Sequence, residues 1–322
     1  MVRINADIYG LMEIENDPER IEHRYLLVGH SDTVFETNWG KYNREGNRVT
    51  GPGTIDMKSG LVMILNIMSA FSNSGNIKFK GLISSDEEIG SYSARSLYKR
   101  YSDEYTHSFV FEGVREDQGV ILRRKGLTEL RLEFKGISSH AGSFFHKGKS
   151  AVLMMAKYIS SLEKRVGKYT EKGVTVNFAR VSGGDKLNVV PDRAVCDIDL
   201  RYFEVSHRDD ILEMIERDAG DELILKYIHK RLPMNSKPEE KMLKLLEESF
   251  ISAGAQFKNS QTGGCSDGNI LSGEGLKVID GLGPRGGGDH TEEEYFLWDS
   301  FLNRLNGLLE FFKSVSENDS IR

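Results

Sequence analysis

Several side chains that can bind a metal or move a proton lie at the ends of short apolar segments. His30 closely follows the apolar segment 24–29, and Asp32 lies two residues further on. One ring nitrogen of an imidazole can bind a metal while a nearby carboxylate holds its other N–H. Taken alone, the pair equally fits a histidine that is hydrogen-bonded for structural reasons.

Asp56 is a second candidate and lies within the glycine-containing segment 51–60. The glycines allow the backbone to bend closely around a site. Apolar residues in the segment 56–71 have helical spacing. An aspartate at the start of a helix is ordinarily an N-cap. The local pattern therefore favours a capping role for Asp56 and leaves a ligand role open.

Three consecutive acids, Asp86, Glu87 and Glu88, follow the predicted strand 77–83. Adjacent carboxylates can take different tasks, one as a metal ligand and the other as a general acid–base group. Repulsion between them raises the pKa of one of the two. The ordinary alternative for such a run is a solvated loop that leads into the next helix.

Two further candidates complete the pattern. Glu112 directly follows the predicted strand 107–111, and His290 follows three glycines, 286–288, near the start of the predicted closing helix 292–312. These glycines lack the lysine and the spacing of a P-loop, so a phosphate cradle is set aside. Histidine and carboxylate ligands in this mixture suit zinc and tolerate cobalt or manganese. Only the joint pattern is specific.

The predicted elements place most of these residues in one α/β domain. Strands alternate with helices in the first part of the chain, which predicts a sheet covered on both faces. Residues 126–230 change to the order βαββαβ, a ferredoxin-like unit. A helix at 239–253 and a strand at 278–282 follow it. We therefore predict a discontinuous domain, 1–125 and 231–322, with 126–230 as an inserted domain.

Composition excludes several classes of function. The chain has 322 residues, 43 Lys and Arg against 49 Asp and Glu, and a net charge of -6. An acidic chain without a basic block is a poor ligand for nucleic acid or an anionic membrane. Two cysteines, Cys196 and Cys265, cannot form a disulfide framework and favour a reducing compartment. With no signal-peptide pattern at the N-terminus, these features predict a cytoplasmic protein.

Together these motifs resemble a family of dinuclear-zinc exopeptidases and deacylases that includes glutamate carboxypeptidase, acetylornithine deacetylase, succinyl-diaminopimelate desuccinylase and aminoacylase. The glycine-rich segments on both sides of Ile270 are most similar to the glutamate carboxypeptidase branch. The resemblance implies the fold class: a zinc-exopeptidase-like α/β catalytic domain with an inserted ferredoxin-like βαββαβ lid or dimerisation domain. The matching stretches are 29–34, 51–60, 86–90, 111–113, 139–142, 183–191, 199–201 and 288–290.

The resemblance also implies two Zn²⁺ ions per chain, with Co²⁺ or Mn²⁺ as substitutes. It implies a cis peptide bond after the bridging aspartate. The implied ligands are His30 and Glu112 for one ion, Glu88 and His290 for the other, and Asp56 for both.

By the same resemblance, Glu87 is the general base that takes a proton from water and delivers it to the leaving amine. Asp32 orients His30. His140, within 139–142, completes the oxyanion site, often across a dimer interface. The sequence around His140 alone favours a residue at the start of a helix.

Substrate contacts are implied for Asn188, Arg201 and Arg231. For Arg231 a solvated hinge residue is an equal alternative. A guanidinium group is the best match to a carboxylate. We therefore expect a small molecule or short peptide with a free carboxylate as substrate, and a homodimer formed through the inserted domain.

The resulting hypothesis is a metal-dependent hydrolase of an amide or peptide bond next to a free carboxylate. A glutamate carboxypeptidase-like exopeptidase and an N-acyl amino acid deacylase both fit this description. The alternative is a non-catalytic relative that uses the fold for binding or assembly. One feature favours it, a leader before His30 that is shorter than the resemblance implies, whereas Glu87 and all five implied ligands argue against it. A two-metal phosphoesterase is weaker, because no Lys or Arg that would grip phosphate lies beside the ligands.

Overall fold

The computed structural model describes residues 3–6, 11–18, 20–35, 40–72, 76–117 and 119–317. Within this part of the chain, no helix is long and apolar enough to cross a membrane. The chain divides into two compact units. Unit 1 comprises Met1–Arg124, Met234–Thr262 and Ser266–Arg322, and unit 2 comprises Lys125–Pro233 and Gly263–Cys265.

The strands of both units are short to medium in length. In chain order they are β1 (Arg3–Ala6), β2 (Met12–Glu15), β3 (His23–His30), β4 (Asn43–Glu45), β5 (Arg48–Thr50), β6 (Ile77–Ser84), β7 (His107–Val110), β8 (Val114–Arg115), β9 (Val120–Arg124), β10 (Gly126–Lys135), β11 (Ser139–His140), β12 (Thr175–Gly183), β13 (Val189–Val190), β14 (Arg193–Tyr202), β15 (Leu223–Arg231), β16 (Met234–Asn235), β17 (Asn259–Thr262), β18 (Lys277–Ile279), β19 (Arg285–Gly287) and β20 (Tyr295–Leu297).

The α-helices are α1 (Ser59–Ala70), α2 (Arg95–Ser102), α3 (Ala151–Val166), α4 (Val205–Asp218), α5 (Glu240–Ser252), α6 (Asp267–Gly273) and α7 (Trp298–Glu317). Short helical turns of other types are formed by Thr54–Lys58, Phe145–Lys147 and Gly167–Lys172.

The main sheet of unit 1 has the strand order β1-β2-β6-β3-β7-β18. The last four of these strands run parallel. Successive side chains of β3 point to opposite faces. Leu27 packs in a core with α1, α5 and α7, whereas Leu26 and Val28 pack with α2 and α6. The sheet is therefore covered on both faces, as predicted, and its parallel strands end at one edge, where α/β proteins form ligand sites.

Unit 1 also contains two smaller sheets. The first has the order β4-β5-β20-β19-β8, and the second has the order β16-β9-β17. Arg124 at the end of β9 pairs with Met234 at the start of β16. The chain therefore leaves unit 1 and returns to it at adjacent positions. The strands on either side of the insertion can thus pair with each other in one sheet.

Unit 2 contains an antiparallel sheet with the order β12-β14-β10-β15. Alternate residues of β10, including Leu130 and Leu132, are buried in one core with Leu162 of α3 and Ile211 of α4. The element order and the strand order together give the predicted ferredoxin-like βαββαβ unit. A separate two-stranded ladder joins β11 to β13.

Two predicted helix starts are wrong. Helix α1 begins at Ser59, and Asp56 has φ −121° and ψ 92°, which is not a helical conformation. Asp56 is therefore not the N-cap of this helix. The closing helix begins at Trp298 instead of residue 292, because Tyr295–Leu297 pairs as a strand with β5.

Candidate metal centre

Asp56 lies between two histidines that come from distant parts of unit 1. Its Oδ1 atom is 3.0 Å from Nε2 of His30, and its Oδ2 atom is 3.1 Å from Nε2 of His290. His30 is the last residue of β3, and His290 follows β19 in a turn. The peptide bond between Asp56 and Met57 is cis, as the resemblance implied. One carboxylate thus faces two imidazoles on opposite sides.

A second carboxylate accompanies each histidine. Glu112 Oε1 is 3.7 Å from Nε2 of His30, and Glu88 Oε2 is 3.5 Å from Nε2 of His290. Glu88 Oε1 is buried without a hydrogen-bond partner among the described residues. Donor atoms bound tetrahedrally at ~2.0–2.1 Å from zinc would lie roughly 3.3 Å apart. The observed separations bracket that value, so the nitrogen and oxygen donors fit divalent cations of the zinc type.

The electrostatic field of this cluster favours positive charge. Burial alone would lower the pKa of His30, yet its hydrogen bonds to Asp32 and Asp56 raise that pKa well above its usual value. Hydrogen bonds to Asp56 and Glu88 raise the pKa of His290 to about 10. The carboxylates that hold protons on these rings would equally attract a divalent cation, which must displace the protons.

Asp32 connects the first histidine to the acid loop, residues 85–90. Its Oδ1 atom is 3.3 Å from Nδ1 of His30, and its backbone carbonyl accepts a hydrogen bond from the same nitrogen at 3.1 Å. Its Oδ2 atom accepts the backbone N–H of Glu88 at 3.0 Å. Burial would raise the pKa of the Asp32 carboxyl, but its contacts with the His30 ring and with the backbone N–H of Glu88 lower that pKa. The contact with Glu88 had no signal in the sequence, because it depends on how β3 and β6 end beside each other.

The acid loop is held from beneath by the buried carboxylate of Asp267. This carboxylate accepts hydrogen bonds from Ser84 Oγ at 3.2 Å, from Tyr98 OH at 2.5 Å and from the Ser91 hydroxyl. Ser84 precedes the loop and Ser91 follows it, so one side chain fixes both ends. Glu87 lies between them, half-buried, and its carbonyl accepts the N–H of Gly90.

Sequence reasoning missed a second buried carboxylate, that of Glu294. It accepts hydrogen bonds from three backbone N–H groups, one of which belongs to Asp56. In the sequence Glu294 is the last of three consecutive glutamates, 292–294, and nothing distinguishes it from the other two. Residues 291–293 are exposed and Glu294 is buried, a difference that only the structure reveals.

In unit 2, His140 and Asn188 lie on the two strands of the small ladder and its extension. His140 pairs with Val189, and the N–H of Ala141 donates to the carbonyl of Asn188. The ring nitrogen Nδ1 of His140 accepts the N–H groups of Gly142 and Ser143, each at 3.1 Å. A neutral His140 therefore carries its proton on Nε2, where it is a hydrogen-bond donor.

The two predicted arginine contacts also lie in unit 2 but differ in their surroundings. The Arg201 guanidinium forms an ion pair with Asp199 and donates to the carbonyl of Gly263 at 3.1 Å. Arg231 is the last residue of β15 and its side chain is buried, so the solvated hinge considered for it is wrong. Of the predicted site residues, the structure brings together His30, Asp32, Asp56, Glu88, Glu112 and His290 in unit 1, with Glu87 next to Glu88 in the acid loop. It places His140, Asn188, Arg201 and Arg231 in unit 2.

Curated proteins with related sequences are hydrolases. The chain is 24% identical over 315 residues to carboxypeptidase G2 of Pseudomonas sp. (strain RS-16), a match that covers 92% of this chain and 75% of that protein. It is 23% identical over 300 residues to a [LysW]-lysine/[LysW]-ornithine hydrolase of Saccharolobus solfataricus, which covers 91% of this chain and 82% of that protein.

Solved structures agree with this fold over almost the whole chain. Aminopeptidase PepT from Bacillus cereus has a TM-score of 0.79 at 18% identity, covering 98% of this chain and 89% of that one. An M20 family metallo-carboxypeptidase, Sso-CP2, from Sulfolobus solfataricus has a TM-score of 0.76 at 17% identity, covering 97% and 90%. The model of "Peptidase family M20/M25/M40" matches residues 26–314. On this match the chain is a metal-dependent hydrolase and belongs to peptidase family M20/M25/M40.

Proposed function

We propose that the chain hydrolyses an amide or peptide bond next to a free carboxylate, as a glutamate carboxypeptidase-like exopeptidase or an N-acyl amino acid deacylase. The observation that carries this proposal is the position of Asp56 between His30 and His290. A carboxylate shared by two imidazoles, each with its own second carboxylate, supports a site for two cations. The similarity to a protein named carboxypeptidase G2 supports the proposal that the substrate has a terminal carboxylate.

The two cations are proposed to be Zn²⁺, with Co²⁺ or Mn²⁺ as substitutes. When bound, such cations polarise the scissile carbonyl and lower the pKa of water from 15.7 towards ~7. The residues that would hold them are His30 and Glu112 for one ion, Glu88 and His290 for the other, and Asp56 for both.

Glu87 is the proposed general base. It takes a proton from the attacking water and later delivers that proton to the leaving amine, which makes it base and acid in turn. Its neighbour Glu88 is tied to Asp32 through the backbone, so the loop that carries Glu87 is fixed relative to His30. Asp32 keeps the His30 ring oriented with Nε2 towards Asp56.

His140 is proposed to donate a hydrogen bond from Nε2 to the oxyanion that develops on the substrate carbonyl. Its acceptor contacts at Nδ1 support this tautomer. A donor aimed at charge that appears only in the transition state raises kcat more than it tightens substrate binding. Asn188, Arg201 and Arg231 are proposed to contact the substrate carboxylate, with Arg201 using the N–H groups that Asp199 and the Gly263 carbonyl leave available.

A cytoplasmic homodimer formed through unit 2 is the proposed assembly. Strand β12 lies at one edge of the four-stranded sheet and is largely exposed. Such an edge presents unpaired backbone groups that can pair with another chain. Light scattering at micromolar concentration should give twice the mass of one chain, and a monomer would contradict this assembly.

Metal content and hydrolysis of a small panel test the proposal directly. The panel contains N-acetyl amino acids, N-succinyl-diaminopimelate, dipeptides, N-acyl glutamate and N-acyl derivatives of lysine and ornithine. We expect about two zinc or cobalt ions per chain and turnover of one substrate class. Asp56→Ala is the control and should lose both ions. A chain that binds no metal after reconstitution would favour the non-catalytic alternative.

A further inference from the structure

The carboxylate of Glu294 is buried against the loop that carries Asp56. The Glu294 residue is 1% exposed. Its Oε2 atom accepts the N–H of Gly53 at 2.7 Å, and its Oε1 atom accepts the N–H groups of Ile55 at 2.8 Å and Asp56 at 3.0 Å. Three donors from four consecutive residues therefore converge on one side chain.

This loop has the form of an anion-binding nest. Gly53 has φ 72°, the left-handed conformation that glycine adopts without strain. When a residue with left-handed φ and ψ angles adjoins residues with right-handed angles, their successive N–H groups point to the same side. They then form a concavity that can bind an anion. In many proteins such a concavity binds a ligand. Here the protein's own Glu294 occupies it, so the nest serves the internal structure of the site.

Glu294 is also joined to the turn that carries His290. The N–H of Thr291 donates to the carbonyl of Gly288 at 3.0 Å, and the N–H of Glu294 donates to the carbonyl of Thr291 at 3.2 Å. His290 itself has φ 63°, a left-handed conformation that disfavours a residue with a Cβ atom. The conformation persists only if its surroundings hold it. Glu294, which is buried at the end of this turn, is one residue that can keep His290 in that conformation.

We propose that Glu294 is a positioning residue that sets the separation of Asp56 and His290, and through it the affinity of the site for divalent cations. This inference rests on the ligand assignment of the proposed function. Glu294 binds the backbone of one ligand and ends the turn of the other, so its two sets of contacts join ligands that are 234 positions apart in the chain. Its carboxylate is taken up by backbone N–H groups, and it is not one of the residues proposed to hold a cation or to contact substrate.

The chemistry of the nest explains why an acid is needed there. A glutamine of the same size could accept two N–H groups with its oxygen, but its NH₂ group would face the N–H of Gly53. Two donors would then oppose each other in a buried space, with one left unsatisfied. An aspartate is one methylene shorter and would not reach all three N–H groups without moving the loop.

The test compares three variants of the full chain in the metal-free form. Glu294→Gln and Glu294→Asp change the nest, whereas Glu293→Gln removes the same charge from the exposed neighbour as a matched control. Zinc affinity is measured without substrate by competition with a chromophoric chelator. Circular dichroism and thermal unfolding of the metal-free proteins report folding separately.

We expect Glu294→Gln and Glu294→Asp to lose about 10–100-fold in zinc affinity, with folded metal-free proteins, and Glu293→Gln to match the wild type. Loss should be larger for the ion proposed at His290, since Glu294 closes that turn. Wild-type affinity in both Glu294 variants, an equal loss in Glu293→Gln, or unfolding of both metal-free Glu294 variants would overturn the inference. Wild-type protein that binds zinc but hydrolyses no substrate would overturn the proposed function and leave the inference standing.

Discussion

Glu88 donates its backbone N–H to Oδ2 of Asp32 at 3.0 Å, across the gap between the ends of two neighbouring parallel strands. The other carboxylate oxygen of Asp32 lies 3.3 Å from Nδ1 of His30. One side chain thus fixes a proposed ligand of one cation and the backbone of a proposed ligand of the other.

Replacing Asp32 should therefore weaken metal binding beyond its effect on His30 alone. We expect Asp32→Ala to lower zinc affinity by about 10–100-fold and to reduce kcat as well. Zinc titration of the metal-free protein measures this, with the exposed Asp103→Asn as a charge-matched control. Unchanged affinity in Asp32→Ala would show that the Asp32 side chain does not position the ligands.

Glu87 and Glu88 are adjacent, but their substitution should have different effects on metal binding and on kcat. Glu87→Gln should retain its metal and lose about 10²–10⁴-fold in kcat, because it removes only the group that moves a proton. Glu88→Gln should lose metal. Metal analysis beside steady-state kinetics separates the two outcomes. Near wild-type kcat in Glu87→Gln would remove Glu87 from the role of general base.

His140→Ala should depress kcat while KM and zinc content stay close to wild type. The donor at Nε2 is proposed to act on charge that develops in the transition state, and removal of one such donor costs about 10²–10³-fold. The exposed His146→Ala in the same segment is the control. A proportional rise of KM with unchanged kcat would instead indicate a contact made equally in the ground state.

Asp267→Asn should loosen the acid loop and destabilise unit 1. An amide can accept from one or two of the three hydroxyl groups but opposes the remainder with a donor, at a cost of about 1–3 kcal/mol. Urea unfolding measures the stability change, and amide hydrogen exchange over 85–90 measures the loop. The exposed Glu274→Gln serves as control. Faster exchange elsewhere in unit 1 with none in this loop would contradict the anchoring role.

Glu239 should make stability depend on pH in the acid range. Partial burial would raise its pKa, but hydrogen bonds from Lys277 and His107 lower it from 4.5 to about 2. A lowered folded-state pKa stabilises the protein above the unfolded value, and this contribution disappears as the pH falls from about 4.5 to about 2. Glu239 is 43% exposed, which limits the contribution to about 1 kcal/mol or less.

The free energy of unfolding of wild type and Glu239→Gln should therefore differ near neutral pH and converge towards pH 2, by about the same ~1 kcal/mol or less. Urea titrations at several pH values measure this difference. Glu247→Gln, exposed in the middle of α5, is the control and should show no such convergence. A constant difference between wild type and Glu239→Gln across this range would show that the ion pairs of Glu239 do not stabilise the folded state.

The sequence could predict positions near strand ends but not the backbone between them. His30 and Glu112 could be placed because each follows an apolar strand, and parallel strands end at the same edge of a sheet. The prediction that a helix begins at Asp56 was wrong. The spacing of apolar residues along the chain carries no information about contacts between Asp56 and two distant histidines. The roles proposed for His140 and the arginines stay predictions.

Glu294 shows that local sequence also does not reveal which of several similar residues is buried. Its neighbours in the run 292–294 have the same charge and the same length, and they are exposed. What distinguishes Glu294 is a set of N–H groups about 240 residues earlier in the chain. Only tertiary packing brings that loop and this side chain together, so no local pattern could have identified it.

The return of the chain from unit 2 at Met234 has a consequence for biosynthesis. His30 is translated about 260 residues before His290. At ~5–20 residues per second, a ribosome needs about 13–52 seconds to cover that distance. Just before the end of this interval the nascent chain carries Asp56 and Glu88 without His290, the histidine that faces both of them. Binding of both proposed ions therefore has to await the synthesis of His290, and a chain truncated before residue 290 lacks one of the proposed ligands.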